Sequence, residues 1–261
     1  MKNSRKMKKI VTIISAVLLF VNGAWAANIL KDGERLEYKL QLKLAWTWID
    51  AGEASLETHA TVYNGQKAFR TSLIANGNRT ADRVFVLRDT LETFLTSDCT
   101  PLFFRKGCIE GKDIVNEKIY FSRENGLYKA RILKTYTNGY VREGNGESRT
   151  PIYDMISLVQ HVRSLDNSKL KPGARITLNM AGSYHVNEQH LRYVGQETVD
   201  AGSRGKVRCR VFTLVKDTTD KKGRAKEETV LRFYTTADAQ QLPLRIDITL
   251  KFAEARVVFD Q

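Results

Sequence analysis

The chain has 261 residues, with 42 Lys and Arg against 29 Asp and Glu and a formal net charge of +13 at pH 7. Its three cysteines, Cys99, Cys108 and Cys209, form no C-x-x-C pair, so a thioredoxin-like redox centre or a zinc knuckle has no ligands to stand on. No Gly-rich phosphate loop follows a strand pattern and no G-x-S-x-G occurs, which leaves nucleotide binding and elbow-type serine hydrolysis without their local signatures.

The chain opens on Lys2, Arg5, Lys6, Lys8 and Lys9, continues through an apolar run from Ile10 to Val21, and then reaches Ala24-Trp25-Ala26. A basic start, an apolar centre and small residues at a cleavage site make a signal peptide, expected to be cut after Ala26. A retained anchor would need roughly 18 apolar residues, more than this run supplies. Residues 1–26 are therefore expected to leave a single β-rich domain, residues 27–261, in the periplasm. Removing the five leader cations leaves 37 against 29 acids, a net +8. That excess either keeps the surface solvated or attracts an anionic lipid, an envelope glycan or another acidic envelope component. Nucleic acid is not expected as a partner: the compartment disfavours it, and no recognition-helix or stacking motif supports it.

Along the mature chain the hydrophobic period is mainly two. Leu36, Tyr38, Leu40, Leu42, Leu44, Trp46 and Trp48 alternate with polar or small residues, the pattern of one long strand with one buried face. Asp50-Ala-Gly52 reads as a turn, after which alternation resumes to Val62 and Asn64-Gly65 supplies a hairpin. Strands follow at Lys67 to Ala75, Arg83 to Thr96, Asp113 to Ser122 and Leu127 to Tyr136, with turns at Glu124-Asn-Gly126 and Asn138-Gly139. Cys99 and Cys108 flank a segment that reads as a short strand and turn, which puts a local bridge within reach. Cys209 sits among alternating apolar residues as a small buried hydrophobe.

One segment changes period. Ile152, Met155, Ile156, Val159 and Val162 recur at spacings of three and four, the face of a helix near residues 151–165, with Thr150 as cap and Pro151 in the first turn. Six more strands follow: Arg175 to Ala181, Gln189 to Val199, Lys206 to Lys216, Glu228 to Thr235, Leu244 to Lys251 and Ala255 to Phe259. Residues Asp217 to Glu228 read as a hairpin loop. The expected architecture is mainly β, a strongly curved antiparallel sheet or open barrel with one amphipathic helix on its concave face.

Four residues stand out as candidates for binding. Trp46 and Trp48 either fill the core or floor a lipid or glycan site. Arg88 and Asp89 follow an apolar run and place opposite charges on opposite faces of a strand, so one points inward. The pair either closes the end of the core or makes Arg88 an anchor for an acidic group. His185 and His190 with Glu188 lack the spacing of helical zinc sites, and on one strand the two imidazoles face opposite sides, so no metal or cofactor is implied. No pair of carboxylates stands out as catalytic, although acids that meet only in space leave a hydrolase of envelope glycans or lipids open.

Trp46-Thr-Trp-Ile-Asp-Ala-Gly-Glu-Ala54, Leu87-Arg-Asp89, Pro151-Ile-Tyr-Asp-Met-Ile-Ser-Leu-Val-Gln-His-Val-Arg-Ser-Leu165 with Leu170-Lys-Pro-Gly173, Tyr193-Val-Gly-Gln-Glu197 and Leu242-Pro-Leu-Arg-Ile246 together resemble a bacterial envelope family catalogued as domain of unknown function 3108. The resemblance runs from about Glu34 to Phe259 and implies an exported Gram-negative protein with a β-rich fold. Glu53 is acidic where members often carry a small residue. The functional expectation is a non-enzymatic binding or carrier module for an amphiphilic or acidic envelope component. The alternative is a scaffold or accessory protein that meets an outer-membrane protein partner through a sheet edge.

Overall fold

Alternating apolar residues let each strand bury one face, and that demand organises the whole chain. The computed structural model describes residues 29–83, 86–110, 113–220, 222–249 and 253–261, so the leader and its cleavage site lie outside the described residues. A first run comprises β1 (Glu34–Leu44), β2 (Thr47–Tyr63), β3 (Gln66–Gly77), β4 (Leu87–Leu95), β5 (Pro101–Glu110), β6 (Asp113–Glu124), β7 (Leu127–Thr135) and β8 (Val141–Ser148). A second comprises β9 (Ile152–Tyr153), α1 (Met155–Ser164), β10 (Arg175–Gly182), β11 (His185–Asp200), β12 (Lys206–Thr219), β13 (Ala225–Thr236), β14 (Pro243–Thr249) and β15 (Glu254–Phe259).

β15 pairs antiparallel with β1, which joins both runs into one 15-stranded sheet ordered β8-β7-β6-β5-β4-β3-β2-β1-β15-β14-β13-β12-β11-β10-β9. Every pairing is antiparallel except β9 with β10. The sheet curls into a nearly closed barrel until β8 lies against the β10–β11 hairpin. A Cβ added at Gly144 would stand 1.9 Å from the Tyr184 carbonyl oxygen, and one at Gly146 would stand 2.3 Å from Val186 Cγ2. The two ends of the sheet thus meet by backbone packing that only glycine permits, without a shared ladder.

Antiparallel order sends the turns alternately to two rims. Turns at 45–46, 136–140 and 183–184 and the connections from β3 to β4 and from β12 to β13 share the first, the hairpin rim. Those at 64–65, 96–100, 125–126, 201–205 and 237–242 share the second. α1 crosses the concave face along one row of paired residues, Glu34, Thr58, Thr71 and Thr93. Thr93 Oγ1 donates to Asp154 at 2.9 Å, Gln160 Nε2 to Thr71 Oγ1 at 3.5 Å, and Arg163 to Glu34 at 2.7 Å. On its other side Leu158 and Val162 pack with Leu191, Phe212, Leu214 and Phe233. The helix therefore fills the concave space between the two halves of the sheet.

Several expectations shift in register. The long strand from Leu36 to Trp48 is broken at Ala45, whose φ of 54° turns the chain into β2. Asp50-Ala-Gly52 is a bulge inside β2, not a turn: Leu40 pairs with Gly52 but Gln41 with Asp50, leaving Ala51 as the extra residue. Gly52 is required there, because at φ 151° a Cβ would lie 2.0 Å from the Asn76 carbonyl oxygen. The helix begins later than expected. Asp154 is its cap, accepting from the backbone N–H of Ile156 and Ser157 while Ser157 Oγ receives Asp154 N–H, and Ile152-Tyr153 is spent on β9. Thr150 instead accepts from the Asn179 side chain. The expected loop from Asp217 to Glu228 contracts to the short connection between Thr219 and Ala225, and β8, with two Gly and two Glu, is an added strand.

Candidate functional site

The β1–β2 hairpin is built by its turn and its bulge. Leu44 pairs with Thr47, so Trp46 falls in the two-residue turn, where 89% of it is exposed, and Leu44 beside it is 45% exposed. Because Trp48 pairs with Lys43 and not with Leu42 or Leu44, its indole lies on the convex face, opposite the row that packs inward. The two tryptophans accordingly neither share a face nor fill the core.

On the convex face Trp48 is held by cations. The Arg256 guanidinium lies 3.8 Å from the ring centroid and Lys43 Nζ 5.9 Å from it. The contact continues as a ladder across four strands. Arg256 Nε donates to Asp247 Oδ1 at 2.9 Å, Arg245 Nη2 donates to Asp247 Oδ2 at 2.6 Å, and Arg245 and Arg232 both lie over Tyr234, at 5.0 and 5.5 Å. Arg232 ends the ladder on Glu197. Burial works to raise the Asp247 carboxyl, but hydrogen bonds from Arg245 and Arg256 outweigh it and hold the group below its usual range. Arg245, Asp247 and Arg256 meet within the β14–β15 pair, but their approach to Trp48 and Lys43 escaped the sequence reading because it depends on β15 pairing with β1, a contact between the two ends of the chain.

Arg88 and Asp89 divide over the two faces as alternation requires. Arg88 donates to both oxygens of Asp82, at 3.0 and 2.7 Å, and to the carbonyl of Gly77 at 3.1 Å. It clamps the segment 78–83 that follows β3, whose Asn78 in turn donates its backbone N–H to Ala51 and its side-chain amide to Asp50. The mutual hydrogen bond holds the Asp82 carboxyl below and the Arg88 guanidinium above their ordinary values. Asp89 pairs in register with Ala75 and Cys108, both buried, and so lies on the inward row. The structure thus brings Trp46 and Trp48 to one hairpin, places Arg88 in a clamp on the same rim, and turns Asp89 into the barrel.

The remaining reactive groups have structural partners. None of the three cysteines is joined in a disulfide, and all are buried. Cys99 lies in the 96–100 turn before β5 and Cys108 toward the far end of β5, which is a continuous strand and not a strand and turn, and the seven residue steps from Pro101 to Cys108 span about 23 Å. A disulfide needs Cα atoms within roughly 7 Å. His190 is buried between Thr177 and Asp217, whereas His185 is exposed. Among the described residues no group of three or more His, Cys, Asp or Glu is placed to hold a metal. Glu92 is covered by Arg70 and Arg105, and Glu117 accepts the Ser183 backbone N–H. A cleft of about 220 Å³ beside Phe121, Tyr128 and Ile152 and one of about 500 Å³ over Arg192, Thr213 and Arg232 both lie away from the hairpin.

The model of a family described as a protein of unknown function (DUF3108) matches residues 37–260. The chain belongs to this family. No curated protein matches the sequence. Among solved structures, a β-barrel-like protein of domain of unknown function DUF1849 from Brucella abortus is similar, with a TM-score of 0.55 at 12% identity, covering 87% of this chain and 95% of that one. At that identity the likeness concerns the fold, and it agrees with the nearly closed sheet of this DUF3108 chain. No helix among its described residues is long and apolar enough to cross a membrane.

Proposed function

We propose that this chain is an exported, non-enzymatic binding protein of the cell envelope that engages an anionic amphiphile through the β1–β2 hairpin. The observation that carries this reading is Trp46, a large aromatic left 89% exposed at a hairpin tip with Leu44 beside it. Removing such a ring from water is favourable, and an indole suits the boundary between apolar chains and polar headgroups. Behind it, Arg256 commits Nε to Asp247, and the guanidinium has further N–H donors for an acidic group. Arg256, rather than Arg88, is the cation beside Trp48.

Once residues 1–26 are removed, Trp46 and Trp48 are the remaining tryptophans, so intrinsic fluorescence reports on this hairpin. Dispersed phosphatidylglycerol is expected to shift the emission to the blue and phosphatidylcholine to do so far less. Trp46→Ala should lose most of the response with an unchanged melting temperature. Identical emission with both lipids would reject the reading. Export is tested separately: the envelope form should begin at Ala27, and recovery of a form retaining Met1 would refute cleavage.

A further inference from the structure

The hairpin tip is not the only apolar feature on its rim. Among the described residues ten large hydrophobic side chains are exposed, and five of them, Leu44, Trp46, Ile114, Tyr140 and Val141, lie at the hairpin rim. Ile114, Tyr140 and Val141 form a second patch around the β7–β8 turn, where Thr137 Oγ1 receives the Ile114 backbone N–H at 2.9 Å. Behind this patch Tyr136 stacks with Tyr140 at 6.0 Å, Lys134 lies 5.6 Å from both Tyr136 and Tyr184, and Arg142 lies 4.1 Å from Tyr184. Each patch therefore joins exposed apolar groups to cations held on aromatic faces. Arg79, Lys134, Arg142, Lys222 and Lys226, all on or next to turns of this rim, form no ion pair among the described residues.

We propose that the hairpin rim as a whole rests on the anionic surface of a lipid bilayer, the barrel standing on that rim with the opposite rim directed away. This depends on the hairpin reading above and names its partner as a bilayer. From β2, at the first patch, to β6, which carries Ile114 of the second, the sheet spans roughly 20 Å at the usual strand spacing, so one headgroup cannot meet both. A surface can. Basic side chains near an anionic leaflet add attraction that salt screens, and aromatic side chains settle at the headgroup level.

The test uses vesicles of phosphatidylglycerol with phosphatidylethanolamine against vesicles of phosphatidylcholine, with co-sedimentation as the readout. The protein should pellet with the first, release as salt rises, and stay in solution with the second. Tyr140→Ala and the double substitution Arg79→Gln/Lys222→Gln should each weaken partitioning by ~5-fold or more, the order expected for one interfacial aromatic or two surface cations. A companion measurement keeps an aromatic at the site: Tyr140→Trp in a Trp46→Phe/Trp48→Phe background should be quenched by brominated lipid. If Trp46→Ala abolishes pelleting while Tyr140→Ala leaves it unchanged and position 140 escapes quenching, the hairpin alone binds and the rim proposal is overturned. A protein that ignores all vesicles yet shifts its emission with dispersed phosphatidylglycerol keeps the hairpin reading and rejects the bilayer. Indifference to every form of the lipid rejects both.

Discussion

Trp46 stands in solvent and Trp48 between cations because one residue, Ala45, takes a left-handed conformation and reverses the chain. Period-two alternation ran unbroken through that point, so the turn was invisible to pattern alone; Ala is not a residue that announces positive φ. Removing the stack by Arg256→Ala should leave the fold intact, cost about 0.5–1 kcal/mol, and shift Trp48 emission, as chemical unfolding and fluorescence would show. The glycine at 144 is less forgiving: Gly144→Ala puts a methyl 1.9 Å from the Tyr184 carbonyl oxygen and should lower the melting temperature markedly, whereas Gly126→Ala, with open space around it, should suffer only the penalty of its φ of 79°. His161 supplies a pH test. Its ring stacks on Tyr153 at 4.5 Å, and burial pushes the imidazole down to about 4 from an ordinary 6.5. The unfolded chain then binds this proton more readily than the folded one, so the stability from this group is complete above pH 6.5 and is lost as pH falls towards 4. The loss is at most ~3 kcal/mol, discounted for the solvent that reaches the half-buried ring, and urea titrations of His161→Phe should lack that part of the acid limb.

At the scale of elements, α1 is where sequence and structure agree most and where the difference teaches most. The spacing of Ile156, Val159 and Val162 marked a helix with a buried face, and Ile156 is 3% exposed. Ile156→Asp should therefore destabilise by several kcal/mol, measurable as a shifted urea midpoint, because an unpaired charge would replace an apolar side chain in the core. Yet the helix is enclosed on more than that face. Gln160 and Arg163, polar positions that a one-sided helix would send to solvent, are 0% and 1% exposed. Arg163 donates to both oxygens of Glu34, at 2.7 and 2.9 Å, and to Gln160 Oε1. Burying that guanidinium is tolerable only with its partner, so Glu34→Ala should cost roughly 3–5 kcal/mol. Gln160→Lys should also destabilise, since it sets a second cation beside Arg163. Period analysis sees which residues share a stripe but not how many neighbours surround it, and the barrel supplies neighbours on both sides.

For the whole molecule the weak line is the seam. Among the described residues β8 hydrogen-bonds to β7 but has no ladder partner on its other edge, so its amides should exchange with solvent faster than those of β6, which is paired on both sides. Hydrogen exchange with mass spectrometry checks this; equal protection of β6 and β8 would mean that the seam is more tightly closed than its packing indicates. By itself the sequence determined the β-rich class, the helix after β9, most hairpins and the family, because alternation, Asn-Gly turns and helical spacing are local properties written within a few residues. Which strands meet at the closure was decided only in three dimensions. β1 with β15 unites the ends of the chain, and that pairing carries Arg256, already joined to Asp247 across β14 and β15, onto Trp48. The turn at Ala45 and the bulge at Ala51 choose the face on which each tryptophan emerges. Such assignments rest on one-residue differences in register, and a one-residue shift reverses every side chain beyond it.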